Sequence, residues 1–264
     1  MDLKIKNKIA LITGSTQGIG LATAMKLCEE GAKVVINGKN KEKLKKAILK
    51  IKKKFPEAKI EGIVADLKSL EGCNHLISKI PHIDILINNL GVFEPKEFKD
   101  ITEKEWIDMF NINVMSGVRL SQHYLSKMVN QNWGRIIFIS SESALQIPKE
   151  MIHYGMTKTA QISVARGIAE LTKGTNVTSN SIIVGPSNSE GVSEFMEELA
   201  NSQNKSFKEI EKEFFEEIRP TSLLQRFTNV EEVSNMIVYT ASSLSSATNG
   251  AALRADAGVI QSAV

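Results

Sequence analysis

A doubly wound α/β fold, with a mainly parallel sheet covered by helices on both faces, is predicted for this chain by two observations. Short apolar segments alternate along the chain with longer amphipathic ones, which is the pattern of successive strand-helix-strand units. The chain also has 264 residues, 42% of them hydrophobic, which is enough for one large domain. No internal repeat and no linker rich in proline, serine and glycine divides it. A single domain over residues 1–264 is therefore expected.

Six segments are predicted to be buried strands because each is a short apolar run. They are Ile9–Thr13, Lys33–Asn37, Ile60–Val64, Ile83–Asn88, Gly134–Ser140 and Asn176–Val184. The segment Lys41–Phe55, between the second and third strands, is predicted to be a helix. Its apolar residues Leu44, Ala47 and Ile51 share one face, and lysines crowd the other. We interpret the lysine face as solvent-exposed, since it lacks the interleaved aromatic residues of a nucleic-acid-binding surface.

Residues 187–220 differ in composition from the rest of the chain. They are rich in glutamate and carry apolar residues at helical spacings, namely Phe195, Met196, Leu199, Phe207, Ile210, Phe214, Phe215 and Ile218. One or two amphipathic helices are predicted here, inserted after the sixth strand and beyond its carboxyl end. Ligands bind at that edge of open α/β sheets. The segment is thus either a lid over a substrate or a packing or oligomer contact.

Composition excludes several classes of function. The formal net charge is +3, from 33 basic and 30 acidic residues, which does not make a nucleic-acid-binding surface. Cys28 and Cys73 have no metal-ligand spacing, so neither a disulfide framework nor a metal site is expected. The first residues lack the apolar core of a signal peptide, and no run approaches about 18 apolar residues. A soluble, cytoplasmic protein without a membrane partner is expected.

A glycine-rich turn follows the first predicted strand. Gly14 permits a sharp turn, Gly18 lets the backbone approach a pyrophosphate, and Gly20 lets the next helix pack tightly. That helix, predicted to run to about Glu30, would present its free N–H groups and positive dipole end to phosphates. A tight strand-to-helix turn also explains a glycine cluster, but its place in a strand-helix-strand unit favours a Rossmann-like dinucleotide site. The residues predicted to bind the cofactor here are Gly14, Ser15, Gln17, Gly18, Ile19 and Gly20.

The spacing of this turn, Gly-x-x-x-Gly-x-Gly, resembles that of the short-chain dehydrogenase/reductase family, and further motifs of that family follow in order. Asn88-Asn89-Leu90-Gly91 matches its Asn-Asn-Ala-Gly at the end of the fourth strand, and the resemblance implies that Asn89 and Gly91 bind the cofactor. Asp66, after the third strand, matches the acid that the family directs at the adenine ring. A helix N-cap also explains an aspartate at this place.

Tyr154 and Lys158 lie four positions apart on one predicted helix, so the ammonium can approach the phenol. Ser141 precedes Tyr154 by thirteen positions, as in the family, and ends the fifth strand. Hydride arriving at a carbonyl carbon leaves charge on the oxygen, which an acid must protonate. Tyr154 is the predicted acid, and nearby positive charge from Lys158 and the oxidised nicotinamide is expected to lower its pKa. Ser141 would orient the carbonyl oxygen.

The resemblance implies further roles. Lys158 would also hold the nicotinamide ribose, beside Tyr154. Asn113 would complete the catalytic tetrad by positioning a water that relays protons to Lys158, whereas the competing Asn111 would point to another helix face. Ser189 falls where relatives place a threonine on the nicotinamide carboxamide, although Val184-Gly185 replaces the family's Pro-Gly pair.

The end of the second strand bears on the choice of cofactor. Gly38 stands where an NAD enzyme carries a carboxylate for the ribose 2′-hydroxyl, and Lys39 follows it. Lys39 could pair with a 2′-phosphate as a point charge. NADP(H) is therefore predicted as the preferred cofactor, with NAD(H) left open.

The motifs together predict an oxidoreductase that transfers a hydride between NADP(H) and a carbonyl or secondary alcohol substrate with an apolar part. The resemblance runs from Lys8 to Gly258, and the segment between Gly134 and Lys158 most resembles bacterial 3-oxoacyl carrier-protein reductase-like oxidoreductases. The alternatives are an NAD-dependent alcohol dehydrogenase on the same site and a non-catalytic cofactor-sensing protein, which would be expected to lack part of the catalytic set. Relatives commonly form homotetramers through the C-terminal strand and through two long helices, which correspond here to Ile101–Met128 and Met151–Thr172, so the resemblance implies a homotetramer. The substrate itself stays open.

Overall fold

The computed structural model describes residues 1–263, apart from the side chains of Glu194 and Phe195. Phe195, one of the apolar residues singled out in the segment 187–220, therefore lies outside the described side chains. The strands are β1 (Ile9–Ile12), β2 (Lys33–Gly38), β3 (Ile60–Val64), β4 (Ile85–Asn88), β5 (Gly134–Ser141), β6 (Val177–Val184), β7 (Ser187–Asn188), β8 (Thr228–Asn229) and β9 (Ala252–Ala255).

Seven of these strands form one sheet in the order β3-β2-β1-β4-β5-β6-β9, and every neighbouring pair in it is parallel. The predicted doubly wound sheet is therefore confirmed. β7 and β8 form a separate two-stranded parallel sheet. The strand order reverses between β1 and β4, and in open α/β sheets the crevice at such a point binds ligands beyond the carboxyl ends of the strands.

Helices cover both faces of the large sheet. They are α1 (Gly18–Glu29), α2 (Lys41–Lys54), α3 (Leu70–Lys79), α4 (Glu103–Phe110), α5 (Ser116–Asn130), α6 (Ile152–Glu170), α7 (Glu190–Gln203), α8 (Phe207–Glu213) and α9 (Val230–Ala241). Two π-helical segments, Asn111–Met115 and Phe214–Ile218, continue α4 and α8. Within the described residues, no helix is long and apolar enough to cross a membrane.

The predicted elements match the observed ones to within a few residues. The helix predicted over Lys41–Phe55 begins after Asn40, whose side chain accepts a hydrogen bond from the Lys43 N–H, as an N-cap residue does. The fourth strand begins at Ile85 instead of Ile83. The segment 187–220 contains the short strand β7, both helices α7 and α8, and a π-helical turn.

Alternate residues of each buried strand point to opposite faces of the sheet and so enter different cores. Ile12 and Ile87 pack with α1, α2 and α9 on one face, whereas Leu11 and Leu86 pack with α3 and α5 on the other. A third, separate cluster belongs mainly to the segment 187–220 and contains Met196, Ala200, Ile210, Phe215 and Phe227. The segment thus has a small core of its own.

Candidate active site

The glycine turn after β1 has the backbone conformation that its sequence predicts. Gly14 and Gly18 have positive φ angles of 58° and 57°, in the left-handed region that favours glycine. The Nδ2 of Asn89 donates hydrogen bonds to the carbonyls of Thr13, at 2.9 Å, and Gly14, at 3.0 Å. The Oδ1 of Asn37 accepts a hydrogen bond of 3.4 Å from the Gly14 N–H. Side chains from β2 and from the loop after β4 therefore brace the turn.

Ser15 and Gly20 connect this turn to its surroundings. The Ser15 Oγ donates to the carbonyl of Ile12, at 2.7 Å, and accepts from the N–H of Asn37, at 3.1 Å. A Cβ at Gly20 would lie 2.6 Å from the Nδ2 of Asn89, so glycine lets α1 pack against the brace. The Ser15 hydroxyl thus joins the ends of β1 and β2, and its part in cofactor binding stays a prediction.

The N-terminus of α1 is capped by a residue far away in the sequence. The side chain of Gln17, at the N-cap, makes no capping hydrogen bond with the described residues. The Oε2 of Glu190 instead accepts a hydrogen bond of 2.6 Å from the Gly18 N–H. Free N–H groups and the positive end of the helix dipole favour a carboxylate at this point. The turn therefore accommodates an anionic group, and sequence reasoning missed this partner because 172 positions separate the two residues.

Gly38 and Lys39 lie at the carboxyl end of β2. A Cβ at Gly38 would lie 2.5 Å from the Cγ2 of Thr16, so any larger residue, an acid included, would displace that threonine. Lys39 is exposed. The Nζ of Lys43 lies nearby on α2 and is 3.5 Å from the Oε1 of Gln17. This end of the crevice therefore carries two lysines next to a position without a side chain.

Asp66 follows β3 and is exposed. Its Oδ1 accepts a hydrogen bond of 3.0 Å from the Lys68 N–H, which closes a local turn. The N-cap of α3 is Ser69, not Asp66. The N-cap explanation for this aspartate is therefore wrong, and its contact with adenine stays a prediction.

Asn113 holds the loop after β4. Its Oδ1 accepts from the Val92 N–H, at 2.8 Å, and its Nδ2 donates to the Val92 carbonyl, at 2.9 Å. The Nδ2 also donates to the Thr157 Oγ1 at 3.0 Å. Asn113 lies within a π-helical segment, a feature frequent at functional sites. Asn111 turns away, as predicted, and its Oδ1 lies 3.4 Å from the Nη2 of Arg119.

Lys158 is buried beside the predicted acid. Its Nζ donates hydrogen bonds to the Ile139 carbonyl, at 2.8 Å, and to the Oε1 of Gln161, at 3.2 Å. The Nζ lies 5.5 Å from the centre of the Tyr154 ring. Burial lowers the pKa of the Lys158 ammonium from 10.5 to about 7, since desolvation disfavours the charged form. A Cβ at Gly91 would lie 3.2 Å from this Nζ, so glycine leaves the ammonium room.

Tyr154 and Ser141 face the same space. Burial raises the pKa of the Tyr154 phenol to about 12, and a hydrogen bond with the Ser141 hydroxyl opposes the rise. Lys158 alone does not bring this pKa below its ordinary value, and the lowering expected from Lys158 together with the oxidised nicotinamide stays a prediction. Desolvation of the phenolate dominates, and Lys158 itself loses charge on burial. Ser141 is held in place by the N–H of Ser143, which donates to its Oγ at 3.2 Å.

A buried ion pair next to Ser141 was missed by sequence reasoning. The Nε of Arg219 lies 2.9 Å from the Oε1 of Glu142, and the two residues are only 7% and 4% exposed. The Ser143 Oγ donates to the other oxygen of Glu142 at 2.9 Å. The pair joins the loop that carries Ser141 to the far end of the segment 187–220. Because 77 positions separate its members, no local pattern could have revealed it.

These elements surround one cavity of about 510 Å³. Among the predicted site residues, those that line it are Ile19, Asn89, Gly91, Ser141, Tyr154, Lys158 and Ser189. The others, which do not line it, are Gly14, Ser15, Gln17, Gly18, Gly20, Lys39, Asp66 and Asn113. The Cβ of Ser189 is 3.3 Å from the position that a Cβ would take at Gly18. The structure thus brings Ser141, Tyr154 and Lys158 together beside the glycine turn.

Comparisons with known proteins agree with this geometry. Residues 8–200 match the short chain dehydrogenase family. An uncharacterised oxidoreductase of Bacillus subtilis, YvaG, is 47% identical over 262 residues, which cover 99% of each chain. The 3-oxoacyl-[acyl-carrier-protein] reductase FabG of Aquifex aeolicus is 30% identical and covers 98% of this chain and 100% of its own.

Solved structures show the same fold. The L-sorbose reductase of Gluconobacter frateurii, in complex with NADPH and L-sorbose, superposes with a TM-score of 0.93 at 26% identity. The match covers 99% of this chain and 100% of that one. With the glycine turn, the parallel sheet and the cavity described above, these matches establish that the chain belongs to the short-chain dehydrogenase/reductase family of NAD(P)-dependent oxidoreductases.

Proposed function

We propose that the protein transfers a hydride between NADP(H) and a carbonyl or secondary alcohol substrate, with Tyr154 as the proton donor and acceptor. The observation that carries the proposal is the convergence of Ser141, Tyr154 and Lys158 on one wall of the cavity, next to the glycine turn. A positioned hydroxyl acid and a second donor are what a carbonyl oxygen requires as negative charge grows on it.

The residues present fit a dinucleotide. The Gly18 N–H already binds a carboxylate, and a phosphate needs the same kind of donor. Gly14 and Gly18 place no side chain at their two positions of the turn, and Gly91 places none beside Lys158. The glycine turn would hold the pyrophosphate, and Lys158 would hold the nicotinamide ribose. When bound, the cofactor supplies or accepts the hydride.

Side chains of the protein orient the substrate and transfer the proton. Ser141 hydrogen-bonds and orients the carbonyl oxygen, and Tyr154 delivers the proton to it. Because burial keeps the pKa of Tyr154 at about 12, the phenol retains its proton at neutral pH, as an acid in the reductive direction must. Asn113 keeps the loop that carries Gly91 and Val92 in place.

Apolar side chains form most of the remaining cavity wall, among them Phe93, Met151, Met196, Leu199 and Phe214. This lining supports a small or medium-sized substrate with an apolar part, and the segment 187–220 supports the role of a lid because it provides several of these residues. A panel of ketones, β-ketoacyl thioesters, sugars and steroids, followed by NADPH absorbance, tests the reaction class. We expect at least one carbonyl compound to consume NADPH. Turnover that persists unchanged in Tyr154→Phe contradicts the proposal.

Preference for NADP(H) over NAD(H) rests on the exposed Lys39 and the absence of a side chain at Gly38. The neighbouring Lys43 adds positive charge, and an acid at position 38 would have to displace the Thr16 side chain. We expect Lys39→Glu to weaken NADPH binding by about tenfold or more, because a carboxylate would face the 2′-phosphate. NADH binding should change little. A clear preference of the wild type for NADH in KM measurements would contradict the assignment.

A homotetramer and a cytoplasmic location stay predictions from the family resemblance and the sequence. The helices expected at the subunit contacts correspond to α4 to α5 and to α6. Light scattering coupled to size-exclusion chromatography tests the first prediction, and a mass of four chains is the expected result.

A further inference from the structure

Gln161 lies almost one helical turn after Lys158 on α6 and is 1% exposed. Its Nε2 donates a hydrogen bond of 2.6 Å to the main-chain carbonyl of Asn113. Its Oε1 accepts the hydrogen bond of 3.2 Å from the Lys158 Nζ. The amide therefore links the π-helical segment to the buried ammonium, in the position where the family resemblance predicts a relay through water.

The orientation of this amide follows from its two partners. A main-chain carbonyl can only accept a hydrogen bond, and an ammonium can only donate one. The Nε2 must therefore face Asn113 and the Oε1 must face Lys158. The Asn113 carbonyl belongs to the π-helical segment Asn111–Met115, where the regular hydrogen-bond pattern of the helix is interrupted. It can accordingly serve as a fixed acceptor for a side chain of α6.

We propose that Gln161 is a positioning residue, which anchors the Lys158 ammonium to the Asn113 carbonyl and stabilises its charged form next to Tyr154. The catalytic meaning of this inference rests on the proposed function. The anchoring itself does not, because it depends only on contacts within the protein.

No carboxylate of the described structure accepts a hydrogen bond from the Lys158 ammonium. Its two hydrogen-bond acceptors in the described structure, the Ile139 carbonyl and Gln161, are both neutral. On its own helix the nearest titratable group is Tyr154. From the turn after β5 and the segment 187–220 come Glu142 and Arg219, which pair with each other. β6 and the π-helical segment contribute no charged side chain within their described bounds. Dipoles such as the Gln161 amide must therefore hold the charge.

The test compares the unfolding of wild type and Gln161→Met in denaturant, at one protein concentration, from about pH 6 to about pH 9. At the high end Lys158 is neutral in the folded protein, and at the low end it is charged, since burial lowers its pKa to about 7. Methionine is similar in size but offers no comparable acceptor. Gln161→Met should raise the unfolding equilibrium constant at both ends of this pH range. We expect the factor by which it does so to be about tenfold larger at about pH 6 than at about pH 9.

The same substitution in a Lys158→Met background is the matched control. Without the ammonium, we expect the cost of Gln161→Met to be the same at every pH. Other groups that titrate in the same way with and without Gln161→Met do not affect the difference in unfolding free energy between the two proteins. A cost that is independent of pH in the wild-type background would show a merely structural role for Gln161 and overturn the inference.

Gln161→Glu provides a second variant if Gln161→Met does not fold. A carboxylate at this position pairs with the ammonium, so we expect the pH at which Lys158 loses its charge to rise, and an unchanged or lower value would overturn the inference. Once a substrate is found, the pKa of Lys158 in the pH profile of kcat/KM should be lower in Gln161→Met and higher in Gln161→Glu than in the wild type. An enzyme that fails to reduce any carbonyl would refute the proposed function, whereas the unfolding experiment would still decide the role of Gln161.

Discussion

The glycine-turn edge of the sheet and the segment 187–220 surround one cavity but are stabilised in different ways. At the edge, side chains from two strand ends, Asn37 of β2 and Asn89 after β4, hydrogen-bond to the backbone of the turn. In the segment, aromatic and aliphatic side chains such as Met196 and Phe215 pack mainly on each other. The edge is thus part of the sheet, whereas the segment has its own core. The cofactor side and the substrate side can therefore differ in stability within one chain.

Few polar contacts tie the segment to the rest of the protein. Glu190 binds the Gly18 N–H at one end, and Arg219 pairs with Glu142 at the other. The two-residue sheet of β7 and β8 adds backbone hydrogen bonds near the first of these contacts. Substitutions at the two ends and in the small core therefore test the difference between the regions.

The largest effect is expected from Arg219→Met. It leaves the buried Glu142 carboxylate without its partner, which costs about 3 kcal/mol or more in the free energy of unfolding. Denaturant unfolding measures this loss. Adding Glu142→Gln should restore much of it, because the unpaired charge is then removed.

Arg226→Met is the matched control, since its pair with Glu232 is exposed and exposed pairs contribute little. Equal losses for Arg219→Met and Arg226→Met would show that the buried pair does not anchor the segment.

A local effect is expected from Phe215→Ala. Removing this ring opens a cavity in the small core. We expect the free energy of local unfolding of the segment 187–220 to fall by about 3 kcal/mol, with little change elsewhere. Hydrogen exchange should speed up in α7 and α8 while β1 and β5 keep their protection. The matched change in the main core, Leu76→Ala, should instead weaken protection throughout the sheet. If Phe215→Ala weakened β1 and β5 as much as α7, the two regions would be one cooperative unit.

The smallest effect is expected from Glu190→Gln. The Glu190 carboxylate and a cofactor phosphate need the same Gly18 N–H, so they compete for it. A neutral amide competes less well at the positive end of a helix, and we expect NADPH to bind about threefold to tenfold more tightly. A fluorescence titration with NADPH measures the change.

Glu198→Gln, an exposed change on the same helix, should leave the NADPH affinity as it is. An affinity that is unchanged or weaker in Glu190→Gln would mean that this carboxylate does not compete with the cofactor.

The sheet and the glycine turn were predictable from the sequence because their signals are local. An apolar run such as Ile9–Thr13 is typical of a buried strand, and glycines such as Gly14 and Gly18 permit the positive φ angles of a tight turn. Tyr154 and Lys158 were found for the same reason, since four positions on a helix place two side chains on one face. These signals need no knowledge of the rest of the fold.

Three of the contacts that sequence reasoning missed join distant positions, and Arg219 with Glu142 is one of them. Gln161 reaches Asn113 across 48 positions, and Glu190 reaches Gly18 across 172. A glutamine in an amphipathic helix or a glutamate at a helix start has an ordinary local explanation, so neither stands out. The rise in the Tyr154 pKa was not foreseen because it depends on burial, which only the folded chain determines.

The central claim is that Tyr154 delivers the proton during hydride transfer. The most direct measurement is the single-turnover rate of NADPH oxidation, with the substrate found in the carbonyl panel, for wild type and Tyr154→Phe at saturating cofactor. We predict a fall of about a hundredfold or more in Tyr154→Phe, with an NADPH dissociation constant close to that of the wild type. Equal rates in the two proteins would contradict the account.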